Sequence, residues 1–81
     1  MAVHSVKIEP VKFELILAGS RKFEVRKDET GFKPGDLVTL KEWDNEQYTG
    51  RELTKKLGFV IGLNWLRPQD SDIKVFSLVN P

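Results

Sequence analysis

The sequence predicts a mostly β fold of the α+β class, a small pseudo-barrel of about five to six strands with one helix after the first strand. Three observations indicate it. Several short segments alternate apolar and polar residues with the period of a strand. Gly and Pro residues separate these segments. One early segment is bounded by a Pro and a Gly at the ends where a helix favours them.

The first two elements are predicted to be a strand and a helix. Residues 3–8 alternate between an apolar and a polar face. Pro10 suits the first turn of a helix and Gly19 suits the residue after its end. The segment between them also fits strand alternation, but its good helix formers favour the helix. On that helix one stripe and its neighbours are apolar: Val11, Leu15 and Ala18, with Phe13, Ile16 and Leu17 beside them.

The next strand is predicted at residues 22–27, with Phe23 and Val25 facing the core. A loop at residues 28–30 follows it. Pro34-Gly35 then predicts a tight turn, because Pro presets φ and Gly accepts a positive φ.

Three further strands complete the predicted barrel, at residues 37–43, 57–63 and 73–79. A polar turn at residues 44–47 and a loop at residues 64–72 connect them. The second of these strands contains a continuous apolar run, which indicates burial on both faces. A closed barrel would also remove the exposed edges that a small sheet must otherwise protect.

Composition places the chain among soluble globular domains. It has 81 residues, 40% hydrophobic and 31% charged, which predicts a single domain spanning residues 1–81. There are no cysteines, so disulfides and zinc–thiolate sites are excluded. No apolar run approaches the roughly 20 residues of a membrane span, and no signal peptide is recognisable. We therefore expect a cytoplasmic protein without a membrane segment. The net charge of +1 means that any nucleic-acid binding must depend on a local patch.

The most densely charged stretch carries the leading candidate site. Residues two apart on a strand share a face, so Lys22, Glu24 and Arg26 are predicted to project together. Spacing alone favours a solvated, salt-bridged edge. The alternative is the polar wall of a binding site. There an Arg fork would bind a phosphate or a base edge, and the ionised glutamate would accept a hydrogen bond from an amino group.

Other residues offer weaker candidates. His4 is the only histidine and shares the face of Val6 and Ile8, which suggests a position at the barrel rim. With no cysteine partner and no clustered acidic ligands, we expect no metal, no cofactor and no Cys/His nucleophile pair. Three aromatic residues could stack on nucleobases, although core packing is the commoner role: Trp43, Tyr48 and Trp65. Three basic residues are read as a solvated face: Arg51, Lys55 and Lys56.

Residues 19–26 resemble the signature of the ASCH family, the activating signal cointegrator homology domain, written G-x-K-x-x-E-x-R. Gly19, Glu24 and Arg26 match it, and Arg21 replaces the signature Lys while keeping its charge. The Phe-Lys-Pro-Gly-Asp turn and the strand after it are similar to the family's next block. Further segments resemble a compact branch associated with phages and bacteria and of unknown function: 4–8, Phe13, 42–43 and 48–51.

The resemblance implies a PUA-like pseudo-barrel with a cleft lined by Arg21, Glu24 and Arg26, and a role in RNA binding. The full candidate set for ligand or RNA binding adds Lys22, His4 and Lys7. Our leading hypothesis is a non-enzymatic module that binds RNA or a nucleotide-like ligand. It allows a further protein partner and leaves the oligomeric state open.

Two alternatives remain. Some relatives implied by the resemblance are amidohydrolases that remove an acetyl group from modified cytidine, using a Lys and a Thr of this segment with a later Glu. Here Arg21 and Glu24 occupy the Lys and Thr positions, which argues against that chemistry because Arg is a poor base. The other alternative is a protein-interaction module, encoded by a phage and aimed at a host factor.

Overall fold

The computed structural model describes residues 2–28, 30–63, 69 and 72–81. Within them the chain forms five strands and one helix, in the order β1 (Val3–Ile8), α1 (Pro10–Leu17), β2 (Phe23–Lys27), β3 (Leu37–Asp44), β4 (Gln47–Gly62) and β5 (Ile73–Val79). The mostly β fold and the helix after the first strand are therefore confirmed. The loop predicted at 64–72 lies outside the described residues except for Gln69 and Asp72, and so does Trp65.

The five strands form one sheet in the order β1-β3-β4-β5-β2. The β1–β3 pair is parallel, and the other three neighbouring pairs are antiparallel. The sheet curls into a half-barrel, so β1 and β2 are its two edge strands. No helix of the described residues combines the length and the apolar character needed to cross a membrane.

The core lies between α1 and the face of the sheet that α1 covers, which we call the inner face. The edge strand β1, strands β3 to β5 and the turn before β3 contribute to it, and its members are Ile8, Phe13, Ile16, Phe32, Val38, Leu40, Leu57, Phe76 and Leu78. The core thus connects the N-terminal strand, the helix and β5.

The helix begins and ends where the sequence predicts, but its buried face is different. Pro10 is its first residue, and Gly19 follows its end with φ +81°, a conformation that suits Gly. Phe13 and Ile16 are buried, whereas Val11 is 72% exposed. The predicted stripe of Val11, Leu15 and Ala18 therefore faces away from the core. A helix with apolar residues almost all round does not indicate which side is covered.

The prediction that Phe23 and Val25 face the core is wrong. Their side chains are 46% and 42% exposed, and Glu24 between them is only 1% exposed. The register with β5 explains the inversion, because Glu24 lies opposite the fully buried Phe76 and Phe23 lies opposite Ser77. Cross-strand partners share a face, so β2 must place its glutamate inside.

Strand β4 begins ten residues earlier than predicted, at Gln47 instead of Leu57. A two-residue turn joins it to β3, with φ of +53° at Asn45 and +62° at Glu46, the geometry of the tightest hairpins. The predicted burial of β4 on both faces is also wrong, because Phe59 and Ile61 are exposed on the outer face. Strand β5 has the predicted bounds.

Candidate binding cleft

A cleft of about 250 Å³ lies between the two edge strands of the half-barrel. The end of β1, the first turn of α1, the middle of β2 and the end of β3 contribute its walls. Its lining residues are Lys7, Ile8, Glu9, Lys12, Glu24, Val25, Arg26 and Trp43. The open side of the curled sheet is thus where charged side chains of β1, of β2 and of the start of α1 meet Trp43 of β3.

Glu24 forms the buried base of the cleft between two guanidinium groups. Its carboxylate oxygens lie 3.1 Å from Nη2 and 3.1 Å from Nη1 of Arg21, and 3.4 Å from Nη2 of Arg26. The N–H of Val25 donates a further hydrogen bond at 2.9 Å. Burial raises the pKa of Glu24, but these hydrogen bonds and the two positive charges together hold it below its ordinary value. Glu24 is therefore an ionised group whose oxygens are occupied by protein donors.

Arg26 reaches across the cleft from one edge strand to the other. Besides its contact with Glu24, its Nη2 donates a hydrogen bond to the backbone carbonyl of Lys7 on β1. The side chain remains partly exposed. It is thus a cation that connects the two edges and still faces the cleft.

One wall of the cleft is aromatic and basic. The Trp43 ring packs edge-on against Tyr48, with centroids 4.8 Å apart and planes at 82°. The Lys7 ammonium lies 4.0 Å from the Trp43 ring centroid, within the range of a cation–π interaction. Tyr48 is 52% exposed. Two of the three aromatic residues that the sequence proposes for base stacking therefore lie together here.

The charges around the cleft leave a positive excess. Lys12 pairs with Glu9 at 3.5 Å, and Glu24 is matched by Arg21 and Arg26. Lys7 forms no ion pair with any described residue. The cleft therefore contains a lysine available to an anionic ligand.

The other predicted site residues lie elsewhere. Arg21 contacts Glu24 from the side opposite the cleft, and together with Lys22 it lines a separate depression of about 220 Å³. Lys22 precedes β2 and is not a cleft residue. His4 is buried at the start of β1, where it contacts Thr30 and Asp36. The structure thus brings Lys7, Glu24 and Arg26 together and separates Lys22 and His4 from them.

An ion-pair network that the sequence analysis missed connects the helix to the β3–β4 hairpin, with Glu42 buried and Arg51 46% exposed. Arg51 donates hydrogen bonds to the carboxylate of Glu42 at 3.0 and 2.6 Å and to that of Glu14 at 2.6 Å. Its guanidinium lies 4.7 Å from the ring of Phe13. Hydrogen bonds from Arg51 and Thr49 lower the pKa of Glu42 to about 2. The interpretation of Arg51 as part of a solvated face misses this role, which only the hairpin register reveals.

No group of three or more His, Cys, Asp or Glu side chains among residues 2–28, 30–63, 69 and 72–81 is placed to hold a metal ion. The site thus combines the cations Lys7 and Arg26, a partly exposed aromatic pair and a small cleft.

Comparison with known proteins places this arrangement in a family. Over 65 residues the chain is 34% identical to a protein of Escherichia phage P2 described as "Uncharacterized 12.9 kDa protein in GpA 3'region". The match covers 79% of this chain and 60% of the phage protein, so the chain spans about three fifths of that relative's length. Residues 3–72 match the family model described as "Domain of unknown function (DUF3850)". The chain therefore belongs to the DUF3850 family, as its likeness to a phage-associated branch of unknown function predicts.

Proposed function

We propose that this domain is an ASCH- or PUA-like binding module that recognises RNA or a nucleotide-like ligand in the cleft between β1 and β2. One observation carries the proposal: Lys7, Arg26 and the Trp43 ring line the same small cleft. A nucleotide presents an anionic phosphate and a flat aromatic base. This cleft contains two cations for the phosphate and, next to them, an aromatic ring for the base.

The two kinds of partner have distinct tasks. Lys7 and Arg26 bind the phosphate, since ammonium and guanidinium groups are the usual donors to phosphate oxygens. Trp43 and its neighbour Tyr48 provide the surface on which an unpaired base stacks, a contact worth about 1–3 kcal/mol per base. A cleft of about 250 Å³ is smaller than the ~300–1,000 Å³ of drug-sized sites, which suits one nucleotide unit of a single strand.

Glu24 acts through the arginines. It is almost completely buried and accepts hydrogen bonds from Arg21, Arg26 and the Val25 N–H, so it orients the guanidinium of Arg26 without touching a phosphate. Arg21 provides a second positive charge beside the buried carboxylate of Glu24, on the side away from the cleft. This arrangement holds Arg26 in one position before the ligand arrives, which reduces the entropy lost on binding.

Fluorescence anisotropy with single-stranded RNA octamers at low salt tests the proposal. We expect Arg26→Met and Lys7→Met each to weaken binding about tenfold and to reduce the dependence on salt by about one released counterion. Lys56→Met, on the exposed part of β4, is the matched control and should bind as the wild type does. Circular dichroism verifies that each variant is folded. No binding at low salt, or equal binding by all three variants, contradicts the proposal.

The amidohydrolase alternative finds less support in the cleft. Strand β2 reads Phe-Glu-Val-Arg-Lys, so it carries no hydroxyl nucleophile. Glu24 is an unsuitable general base there, because its pKa is lowered and its oxygens are occupied. Release of acetate from acetylated cytidine by the purified protein would nevertheless establish this alternative.

One observation favours the alternative of a protein-interaction module. Four apolar side chains are exposed on the outer face of β2 and β4, the two strands that flank β5: Phe23, Val25, Phe59 and Ile61. Val25 and Ile61 both pair with Val75 of β5. Contiguous exposed apolar surface is typical of interaction sites. Purification with a stoichiometric protein partner and without nucleic acid would support this function over RNA binding.

A further inference from the structure

A second polar cluster lies outside the cleft, where the turn before β3 contacts β1. The hydroxyl oxygen of Thr30 is 2.7 Å from Nδ1 of His4, and Nε2 of His4 is 2.8 Å from Oδ2 of Asp36. His4 and Asp36 are buried, whereas Thr30 is exposed. A hydroxyl, an imidazole and a carboxylate thus form a continuous hydrogen-bonded chain that ends at the surface.

The chemistry of the hydroxyl, the imidazole and the carboxylate limits which atom donates the proton in each of the two hydrogen bonds. Hydrogen bonds from His4 and from the N–H groups of Ala2 and Lys33 lower the pKa of Asp36, so it is an ionised acceptor. Nε2 of His4 must then be the donor to Asp36. When the imidazole is neutral its other nitrogen is an acceptor, and in that state Thr30 donates its hydroxyl proton to Nδ1. This is the ground state that a hydroxyl nucleophile needs beside a general base.

The surrounding residues hold the cluster rigidly. The Phe32 ring packs against His4 with centroids 4.7 Å apart, and against Phe76 of the core at 4.8 Å. Asp28 Oδ1 accepts the N–H groups of Thr30, Gly31 and Phe32 at 3.3, 2.6 and 3.1 Å. The backbone on which Thr30 lies is therefore fixed, and its hydroxyl does not have to be ordered when a substrate binds.

A surface depression of about 440 Å³ opens beside Thr30 and is lined by Ala2, Thr30, Gly31, Lys33 and Asp36. The N–H groups of the turn are committed to Asp28, so they cannot stabilise a developing oxyanion. Lys33 can do so, because it is exposed and forms no ion pair with any described residue. The depression thus provides space for a small acyl group and one cation for its oxygen.

We propose that Thr30, His4 and Asp36 form an acyl-transfer site that hydrolyses small carboxylic esters. The Thr30 oxygen forms a bond to the ester carbonyl carbon while its proton passes to Nδ1 of His4. The bond to the alkoxide leaving group then breaks, and the alkoxide leaves as the alcohol with that proton. Water repeats the sequence on the acyl-threonine, giving the acid and the original hydroxyl. Asp36 is a positioning residue that keeps the imidazole in its reactive tautomer.

The same hydrogen bonds also tie β1 to the turn before β3, so stability measurements cannot test the proposal. A fluorophosphonate probe can, because it reacts with a hydroxyl only when a base removes the proton: the threonine oxygen bonds to phosphorus and fluoride leaves as HF. Peptide mass spectrometry then locates the label. We expect one label per chain at residue 30, and hydrolysis of p-nitrophenyl acetate that the same label abolishes.

Because Thr30 is exposed, variants at this position test the reactivity of the hydroxyl without altering the core. Thr30→Ser should be labelled and remain active, whereas Thr30→Val, of the same shape, should take no label at residue 30 and lose ester hydrolysis. His4→Gln should slow labelling of Thr30 at least about 100-fold, the usual contribution of a general base. Thr54→Val, which removes a hydroxyl that bonds to Thr39 on the neighbouring strand, is the control and should behave as the wild type. Absence of label at residue 30 in the folded wild-type protein, or equal ester hydrolysis by Thr30→Val, overturns the proposal.

Discussion

Oε1 of Glu24 accepts the backbone N–H of Val25, 2.9 Å away, at the free edge of β2. The carbonyl of Lys22 and the N–H of Asp28 both bond to the β5 side. Backbone groups alternate in direction along a strand, so the N–H of Val25 points away from β5, where no strand covers it. On the opposite edge, the Lys7 carbonyl accepts from Arg26. Two charged side chains of the cleft thus satisfy backbone groups that a half-barrel would otherwise expose for unwanted strand pairing.

Replacement of Glu24 by Gln should destabilise the protein by about 1–3 kcal/mol, the cost of leaving buried polar groups without their partners. The amide cannot satisfy Arg21, Arg26 and the Val25 N–H together, and the charge that compensates both arginines is lost. Urea unfolding at neutral pH measures the change. Glu52→Gln, at an exposed position of β4, should change the stability by no more than about 0.5 kcal/mol. Equal stability of the two variants would show that Glu24 does not support the edge.

The helix offers a matched pair that tests which face is buried. Ile16 is 3% exposed and belongs to the core, whereas Val11 is 72% exposed on the same helix. Ile16→Ala should cost about 2–5 kcal/mol of unfolding free energy, and Val11→Ala should cost less than about 0.5 kcal/mol. Thermal and urea unfolding of both variants provide the comparison. Similar losses at the two positions would indicate that the helix faces the sheet differently.

The sequence predicts the elements of this fold better than their orientation. Most strand and helix bounds follow from local periods and from Pro and Gly, which act within a few residues. The start of β4, ten residues earlier than predicted, is the exception. Which face of β2 is buried follows instead from its pairing with β5, about fifty residues later, and from two arginines that make a buried glutamate tolerable. The alternation of apolar and polar residues shows neither the pairing with β5 nor the two arginines. The rule that apolar residues face inward therefore fails at Phe23 and Val25.

The candidate site shows the same limit. The charged stretch of β2 supplies Glu24 and Arg26, both recognisable from their spacing, and the structure places them at one cleft. Lys7 and Trp43 reach that cleft from strands β1 and β3, which only the curl of the sheet brings next to β2. The contact between Thr30, His4 and Asp36 joins residues about thirty positions apart, and no local pattern predicts it.

Gly58 lies at the irregularity of the β4–β5 pair, which falls between Leu57 and Val60. A Cβ at this position would overlap Oγ of Ser77, which accepts the N–H of Phe59 at 2.8 Å. Gly58→Ala should therefore destabilise the protein by about 1–3 kcal/mol. Ser77→Ala removes the obstructing oxygen, so the double variant should lose less than the sum of the single losses. A double-mutant cycle of urea unfolding measures this coupling, and strict additivity would contradict the predicted overlap.

The Glu42–Arg51 pair predicts how acid affects the fold. The folded-state pKa of Glu42 is lowered from its ordinary value of 4.5 to about 2, first by the hydrogen bond from Arg51 and then by that from Thr49. A group with a lowered folded-state pKa stabilises the fold fully above its unfolded-state value, and this stabilisation is lost as the pH falls through the folded-state value. Glu42→Gln removes the titrating group. The stability difference between wild type and Glu42→Gln should therefore be constant above about pH 5 and shrink between about pH 4.5 and 2.

Other carboxylates with lowered pKa values, Glu24, Asp28 and Asp36, also weaken the wild-type fold in this range, so only the difference between variants isolates Glu42. Urea unfolding of the wild type and of Glu42→Gln at several pH values measures this difference in stability. Glu52→Gln removes one carboxylate at an exposed position outside the pair and serves as the control for the loss of a negative charge. A difference for Glu42→Gln that stays constant down to about pH 2 would mean that the bond to Arg51 does not stabilise the ionised carboxylate. Arg51 would then act through its bond to Glu14 and its contact with Phe13, both on helix α1, and not through the charge of Glu42.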